Sequence, residues 1–275
     1  MTEIKNIKCI NALELKVLAM ALMLCDHLWA TIVPGAQWLT DLGRLAFPIF
    51  AFQIAEGYTK TKNYKQYWRR VLMFALISEV PYDMMMAGLA PIRGVLRELG
   101  CLVTGGGFSS SYLFRCLFGL MTHQNVMFTF LLALTLIRVL DKTREKNKIL
   151  FWVMLPVAAG VGWLLGQLLF VDYHGEGVLT VLLFWLCRGL HFGWVLELAG
   201  MVLLNCVMLG GMTIPVSLFG LILQLPQQGL ALLALIPIWL YNGQQGPHSK
   251  AIRYACYAFY PVHILSLSLI ALYVL

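Results

Sequence analysis

Apolar runs approaching the length of a bilayer crossing follow one another along this chain, and that succession constrains the fold more than any other feature. A backbone in lipid must satisfy its polar groups internally, so such runs read as helices packed side by side. Candidate spans cover residues 12–33, 42–58, 69–88, 125–140, 149–170, 178–190, 193–209, 213–225, 228–241 and 254–274. The expected fold is all-α: a single domain over residues 1–275, built as a polytopic membrane helix bundle of about ten transmembrane helices. Because 60% of residues are hydrophobic and only 12% are charged, no soluble domain of useful size is expected.

The first run follows Lys5, Lys8 and Lys16, but it exceeds a signal-peptide core and lacks a small-residue cleavage pattern. It reads as an uncleaved first span. The net charge of +7 sits in short loops, which is the positive-inside pattern and argues against nucleic acid as a partner. The N-terminus, TKTKNYKQYWRR (59–70) and DKTREKNK (141–148) then share one side, expected to be the cytoplasm, and VDYHGEG (171–177) lies outside. Residues 242–253 carry Lys250 and Arg253, yet they land outside in a ten-span count. Either the stretch 210–241 hides a re-entrant segment or these late charges fail to override earlier spans; ten spans are preferred. The connection 89–124 either dips into the membrane or forms a lid. Seven scattered cysteines without a C-x-x-C pair read as reduced thiols, with neither a disulfide frame nor a metal site.

Within the first span, Asp26 and His27 stand side by side, each costing about 2 to 3 kcal/mol near a bilayer centre. Arg44 near the outer end of the second span, Glu79 and Asp83 on one face of the third, and His263 in the last come to a similar depth. Such groups must meet one another or a wet cavity, which Pro48 and Pro81 can help to open. One reading is a structural ion-pair network, Arg44 with Asp26 or Glu79. The other is a site where His27 acts as a general base, its ring held by Asp26, Glu79 or Asp83. Cys25 points about 200° away from His27 on a helix, which disfavours a covalent route through it. Glu56, near the inner end of span two, either contacts a ligand or caps its helix.

The segments LKVLAMALMLCDH, GRLAFPIFAFQIAEGYTKT, YWRRVLMFALISEVPYD, NVMFTFLLAL, DYHGEGVLTVLLFW and YNGQQG followed by YAFYPVHILSLSLI resemble, in the same order, the signature segments of the TraX family. The resemblance spans residues 15 to 270. It implies a multi-span membrane acetyltransferase of the bacterial cytoplasmic membrane, with acetyl-CoA as donor and N-acetylation of F-type pilin as the founding activity. It points to Asp26, His27, Arg44, Glu56, Glu79 and His263. DYHGEG departs from the pattern, with His174 where a glycine is more usual. On this view the donor phosphates are drawn to Lys60, Lys62, Arg69 and Arg70, although the same loop also reads as a plain topology signal. Arg44 or a backbone donor stabilises the oxyanion. Asp172, His174 and Glu176 either guide the acceptor or form a solvated acidic loop. The acceptor is a peptide N-terminus, a glycan or a small molecule. Two other classes stay open: a secondary transporter or proton-coupled permease, and a non-catalytic assembly factor for a secreted appendage.

Overall fold

The computed structural model describes residues 8–121, 123–218 and 221–273, so Lys5 lies outside the described residues. The helices are α1 (Ala12–Thr31), α2 (Gln37–Gly43), α3 (Ala46–Lys60), α4 (Tyr64–Met86), α5 (Leu89–Thr104), α6 (Ser110–Met121), α7 (Val126–Lys146), α8 (Lys148–Leu168), α9 (His174–Cys187) and α10 (Gly193–Val202). A π-helical turn (Leu203–Met208) extends α10. Strands β1 (Thr213–Leu218) and β2 (Leu221–Pro226), a 3-10 segment (Gln227–Ala234), α11 (Leu235–Trp239) and α12 (Lys250–Tyr273) complete the chain.

Asparagines start several of these helices. Asn11 forms a capping box with Glu14 at the head of α1, and Asn63, Asn125 and Asn147 accept first-turn N–H groups of α4, α7 and α8. Each cap stabilises its helix by about 1 kcal/mol. Pro48 falls in the first turn of α3, where its missing N–H has no helical partner to lose, whereas α4 continues through Pro81. The buried core gathers around α9, α3 and α7, with Phe184, Val178, Ile49, Leu134 and Ile137 almost fully enclosed. Glycines let the backbones close up there. A Cβ on Gly175 would overlap the backbone of Trp163 in α8, so only glycine fits that crossing.

The ten expected crossings are not ten long apolar helices. Among the described residues, α8 and α12 are by themselves long and apolar enough to cross a membrane, and α4 with α5 joins them only as a pair bent by 116°. The expected span 213–225 is instead an antiparallel hairpin pairing Thr213 with Pro226 and Leu218 with Leu221. Positive-φ Gly210 and Gly211 end the preceding helix, and Pro215 and Pro226 cannot donate to a helical ladder. The expected span 228–241 is a 3-10 turn followed by the short α11. The 89–124 connection is largely a helical hairpin, α5 against α6.

Contacts at the helix ends sort the loops into two faces. Ile10 N donates to Leu240 O at 3.1 Å, Ala12 N to Gln244 O at 2.9 Å, and Lys60 Nζ to Gly243 O at 2.6 Å. The turn after α3 and residues 240–249 therefore share the face of the N-terminus. Tyr58 donates to Asp141 at 2.7 Å and Arg188 to Glu56 at 2.7 Å, which brings the ends of α7 and α9 to that face as well. Residues 242–253, expected on the far side, lie with the other basic loops. The expected span 213–225 is a hairpin, which removes one of the ten expected passes. The last helix thus begins where the first begins.

Candidate functional site

Because α1 and α12 run in parallel from one face, His27 and His263 reach the same depth, about 22 and 20 Å along their helices at 1.5 Å per residue. The depth match expected from an outside 242–253 loop holds for the opposite reason. His27 Nδ1 lies 2.7 Å from His263 Nε2, with the rings within 6° of parallel. His263 Nδ1 in turn lies 2.6 Å from the Phe259 carbonyl oxygen. A carbonyl only accepts, so Nδ1 of His263 carries the proton, and with neutral rings its Nε2 is the acceptor. His27 Nδ1–H then donates to it, which leaves the lone pair of His27 on Nε2. Residue 263, not Asp26, Glu79 or Asp83, orients this imidazole.

Asp26 has other duties. Its Oδ1 takes Arg44 Nη2 at 2.7 Å and the Thr40 hydroxyl at 2.7 Å. Arg44 also donates from Nη2 to Thr40 Oγ1 at 2.6 Å and from Nε to the Thr40 carbonyl at 3.2 Å. The break between α2 and α3 presents Arg44 to α1, and Gly43 makes the approach possible, since a Cβ there would overlap the Asp26 side chain. Arg44 Nη1 makes a long contact of 3.4 Å to Gln228 Oε1, and Gln228 leans on Asn205 at 3.3 Å. One guanidinium edge is thus locked and the other is loosely held.

These groups line a cavity of about 380 Å³ toward the face opposite the N-terminus. Tyr82, Tyr260, Phe47, Asp172, Tyr173 and His174 share its wall with Asp26, His27, Arg44 and Gln228. The turn that carries three of them is strained: Phe170, Tyr173 and His174 have φ of 51°, 59° and 48°. A glycine at 174 would adopt that backbone freely, whereas His174 carries a side chain there. Tyr173 is held by stacking on Phe47 at 3.9 Å, and Thr129 donates to the Asp172 carbonyl at 2.6 Å. Burial, then the nearby Asp26 carboxylate, push the Asp172 carboxyl up to about 7.

Other expected site residues lie elsewhere. Glu79 turns to α7, where both the backbone N–H and the side-chain amide of Asn125 donate to it. Neither it nor Asp83 lines the His27 cavity. Glu176 is buried under Trp163 and Gln167, at 2.8 and 3.0 Å, and so is not a solvated guide for an acceptor. Glu56 accepts from Lys60 at 2.9 Å and from Arg188 at 2.7 Å. Glu56, Lys60 and Arg70 line a second cavity at the N-terminal face, Lys62 lines a separate surface cleft, and Arg69 lines neither. The sequence reading missed Thr40, Gln228, Tyr173, Tyr82 and Tyr260. The i, i+4 spacing of Thr40 and Arg44 and the polar pair Gln227–Gln228 amid apolar residues were the available signals.

No solved structure matches the chain significantly. The chain is similar to the Probable fimbrial assembly protein FimC, serogroup H1, of Dichelobacter nodosus, at 27% identity over 265 residues, covering 92% of this chain and 93% of that protein. The family described as TraX protein matches residues 12–271, nearly the whole of the bundle and every group in the cavity, and the chain therefore belongs to the TraX family.

Proposed function

We propose that this protein is a membrane-embedded acetyltransferase that moves an acetyl group from acetyl-CoA to an amine or hydroxyl acceptor, with the basic N-terminal face toward the bacterial cytoplasm. The observation that carries the reading is the hydrogen-bonded pair His27–His263, which leaves an imidazole lone pair beside a polar cavity. In the proposed step the acceptor nitrogen or oxygen attacks the thioester carbonyl while His27 Nε2 takes its proton. The tetrahedral oxyanion then collapses, the carbon–sulfur bond breaks, and the departing thiolate receives that proton to leave as CoA thiol. The loosely held Nη1 edge of Arg44 supports the oxyanion. The locked Asp26–Thr40 edge keeps it in place.

The name of the Dichelobacter relative supports a second reading, a non-catalytic part in assembling a surface appendage. It is also compatible with the first, because a fimbrial subunit offers an amino terminus as acceptor. The deciding experiment incubates purified protein in liposomes with radiolabelled acetyl-CoA and a panel of peptide and sugar acceptors. Transfer that disappears in His27→Ala, with thermal unfolding unchanged, supports the enzyme. Absence of transfer to any acceptor, with His27→Ala still supporting appendage assembly in cells, supports the second reading.

A further inference from the structure

The cavity at the N-terminal face, about 390 Å³, is unlike the rest of the bundle in its charge accounting. Lys16 from α1, Arg70 from α4 and Arg253 from α12 all line it, and Glu56 is its acidic side chain. That carboxylate is already matched by Lys60 and Arg188. Lys60 is itself fully committed, donating to Glu56 at 2.9 Å, to the Tyr241 hydroxyl at 2.7 Å and to the Gly243 carbonyl at 2.6 Å. Among the described residues Lys16, Arg70 and Arg253 form no ion pair and no side-chain hydrogen bond; Arg70 and Arg253 rest over the rings of Tyr67 and Tyr254. Arg70 Nε and, on the same wall, Gln53 Oε1 are buried without a partner. A buried guanidinium N–H with nothing to donate to is a destabilising arrangement unless a ligand completes it. Three unmatched cations converging from three helices call for an anion with several acceptor oxygens.

A smaller space lies between this cavity and the one at His27. This space, of about 120 Å³, shares Lys16, Gln53, Tyr67, Cys256 and Tyr257 with the N-terminal-face cavity. On its other side the same space shares Met23, Phe50, Val126 and Tyr260 with the His27 cavity. The wall of this waist is largely apolar, so it resists a charge and admits a slender neutral arm. Lys16 and His27 stand about 16 Å apart along α1. A molecule that satisfies both ends therefore has a phosphate-bearing head and a long thin arm that ends in its reactive group.

We propose that the N-terminal-face cavity binds a phosphate-bearing nucleotide head through Lys16, Arg70 and Arg253, and that the waist threads the attached acyl arm toward His27. The proposal rests on the transferase reading only where it makes this molecule the acyl donor. It replaces the basic loop as the donor's anchor: Lys62 and Arg69 lie off the path, and Lys60 has no hydrogen left to give. Anionic lipid headgroups offer the same phosphate chemistry, so the test must separate the two sources.

Binding to the purified full chain in detergent is measured by calorimetry with CoA, with adenosine 3′,5′-bisphosphate and with a short-chain phosphatidylglycerol. Arg70→Gln, Arg253→Gln and Lys16→Gln are each expected to weaken CoA binding about tenfold or more, the loss of a charge-assisted contact. Arg70→Lys should restore part of it, and Lys62→Gln and Arg69→Gln should leave it within twofold. Bound CoA should slow maleimide alkylation of Cys256, read by peptide mass spectrometry, and adenosine bisphosphate, which lacks the arm, should slow it less. Equal loss in the Lys62 and Arg69 variants, unchanged binding in the three cavity variants, or a response to phosphatidylglycerol alone would each overturn the proposal. Specific CoA binding with no acetyl transfer to any acceptor would leave the site standing and remove the transferase reading. Transfer indifferent to the three substitutions would do the reverse.

Discussion

The His27 cavity and the N-terminal-face cavity both border one smaller space, yet they treat their charges in opposite ways. Around His27 the neighbours are paired: Arg44 is clamped to Asp26 and Thr40, and the imidazole is held by His263, itself held by the Phe259 carbonyl. At the N-terminal face three cations have no ion pair among the described residues, beside a carboxylate already neutralised. A group that must act on a reacting atom gains from being fixed beforehand, because reorganisation during the reaction then costs little. A group that must capture a mobile ion gains from being unsatisfied. Under the proposed function, the contrast assigns chemistry to the first cavity and recognition to the second.

Its sharpest test is His27→Ala. Transfer should fall by about 10²- to 10⁴-fold, the range of a lost general base, while CoA affinity measured by calorimetry stays within twofold. A parallel loss of binding would merge the two cavities into one. Next in size, His263→Ala should slow transfer more than His263→Gln, because a glutamine oxygen can still accept from His27 Nδ1–H. Nitrogen-15 spectra of labelled histidine should show Nε2 of residue 27 unprotonated in the wild type and a mixed tautomer in the alanine variant; identical spectra would make His263 a packing residue only. Gly43→Ala drives a methyl group into Asp26 and should lower stability by about 1 to 3 kcal/mol in thermal unfolding. Transfer should drop with it and nucleotide binding should not.

The smallest effect concerns Asp172, in the turn after α8. Its carboxyl titrates near 7 in the folded protein, above its ordinary value near ~3.8, so the folded chain holds an extra proton between these limits. Stability contributed at low pH is therefore lost as pH rises through that window. Asp172→Asn should show no such loss, and the difference in unfolding temperature should grow in favour of asparagine from pH 4 to 7 and then level off. A flat difference would mean that Asp172 is solvated and belongs to the surface.

Much of this was readable from local signals. The helical class follows from apolar composition and run length. Asp26, His27, Arg44 and His263 stood out because charge and imidazole are costly in apolar runs; the structure puts the first three on one cavity wall and His263 behind His27. Glu79 carried the same signal and lies apart, since Asn125 satisfies it. Hydropathy measures that a polar side chain needs a partner, and it is blind to which partner is supplied.

The sequence by itself determined a mainly helical, membrane-suited chain, the family to which it belongs, and a short set of polar residues that had to be compensated, because composition and spacing act locally along the chain. Tertiary structure decided the rest. Whether 213–225 is a helix or a hairpin sets the parity of the passes, and parity sets the face from which α12 starts. That start puts His263 against His27 and Arg253 on the cavity that Arg70 also lines, placements of residues far apart in sequence that exist only once the helices have packed.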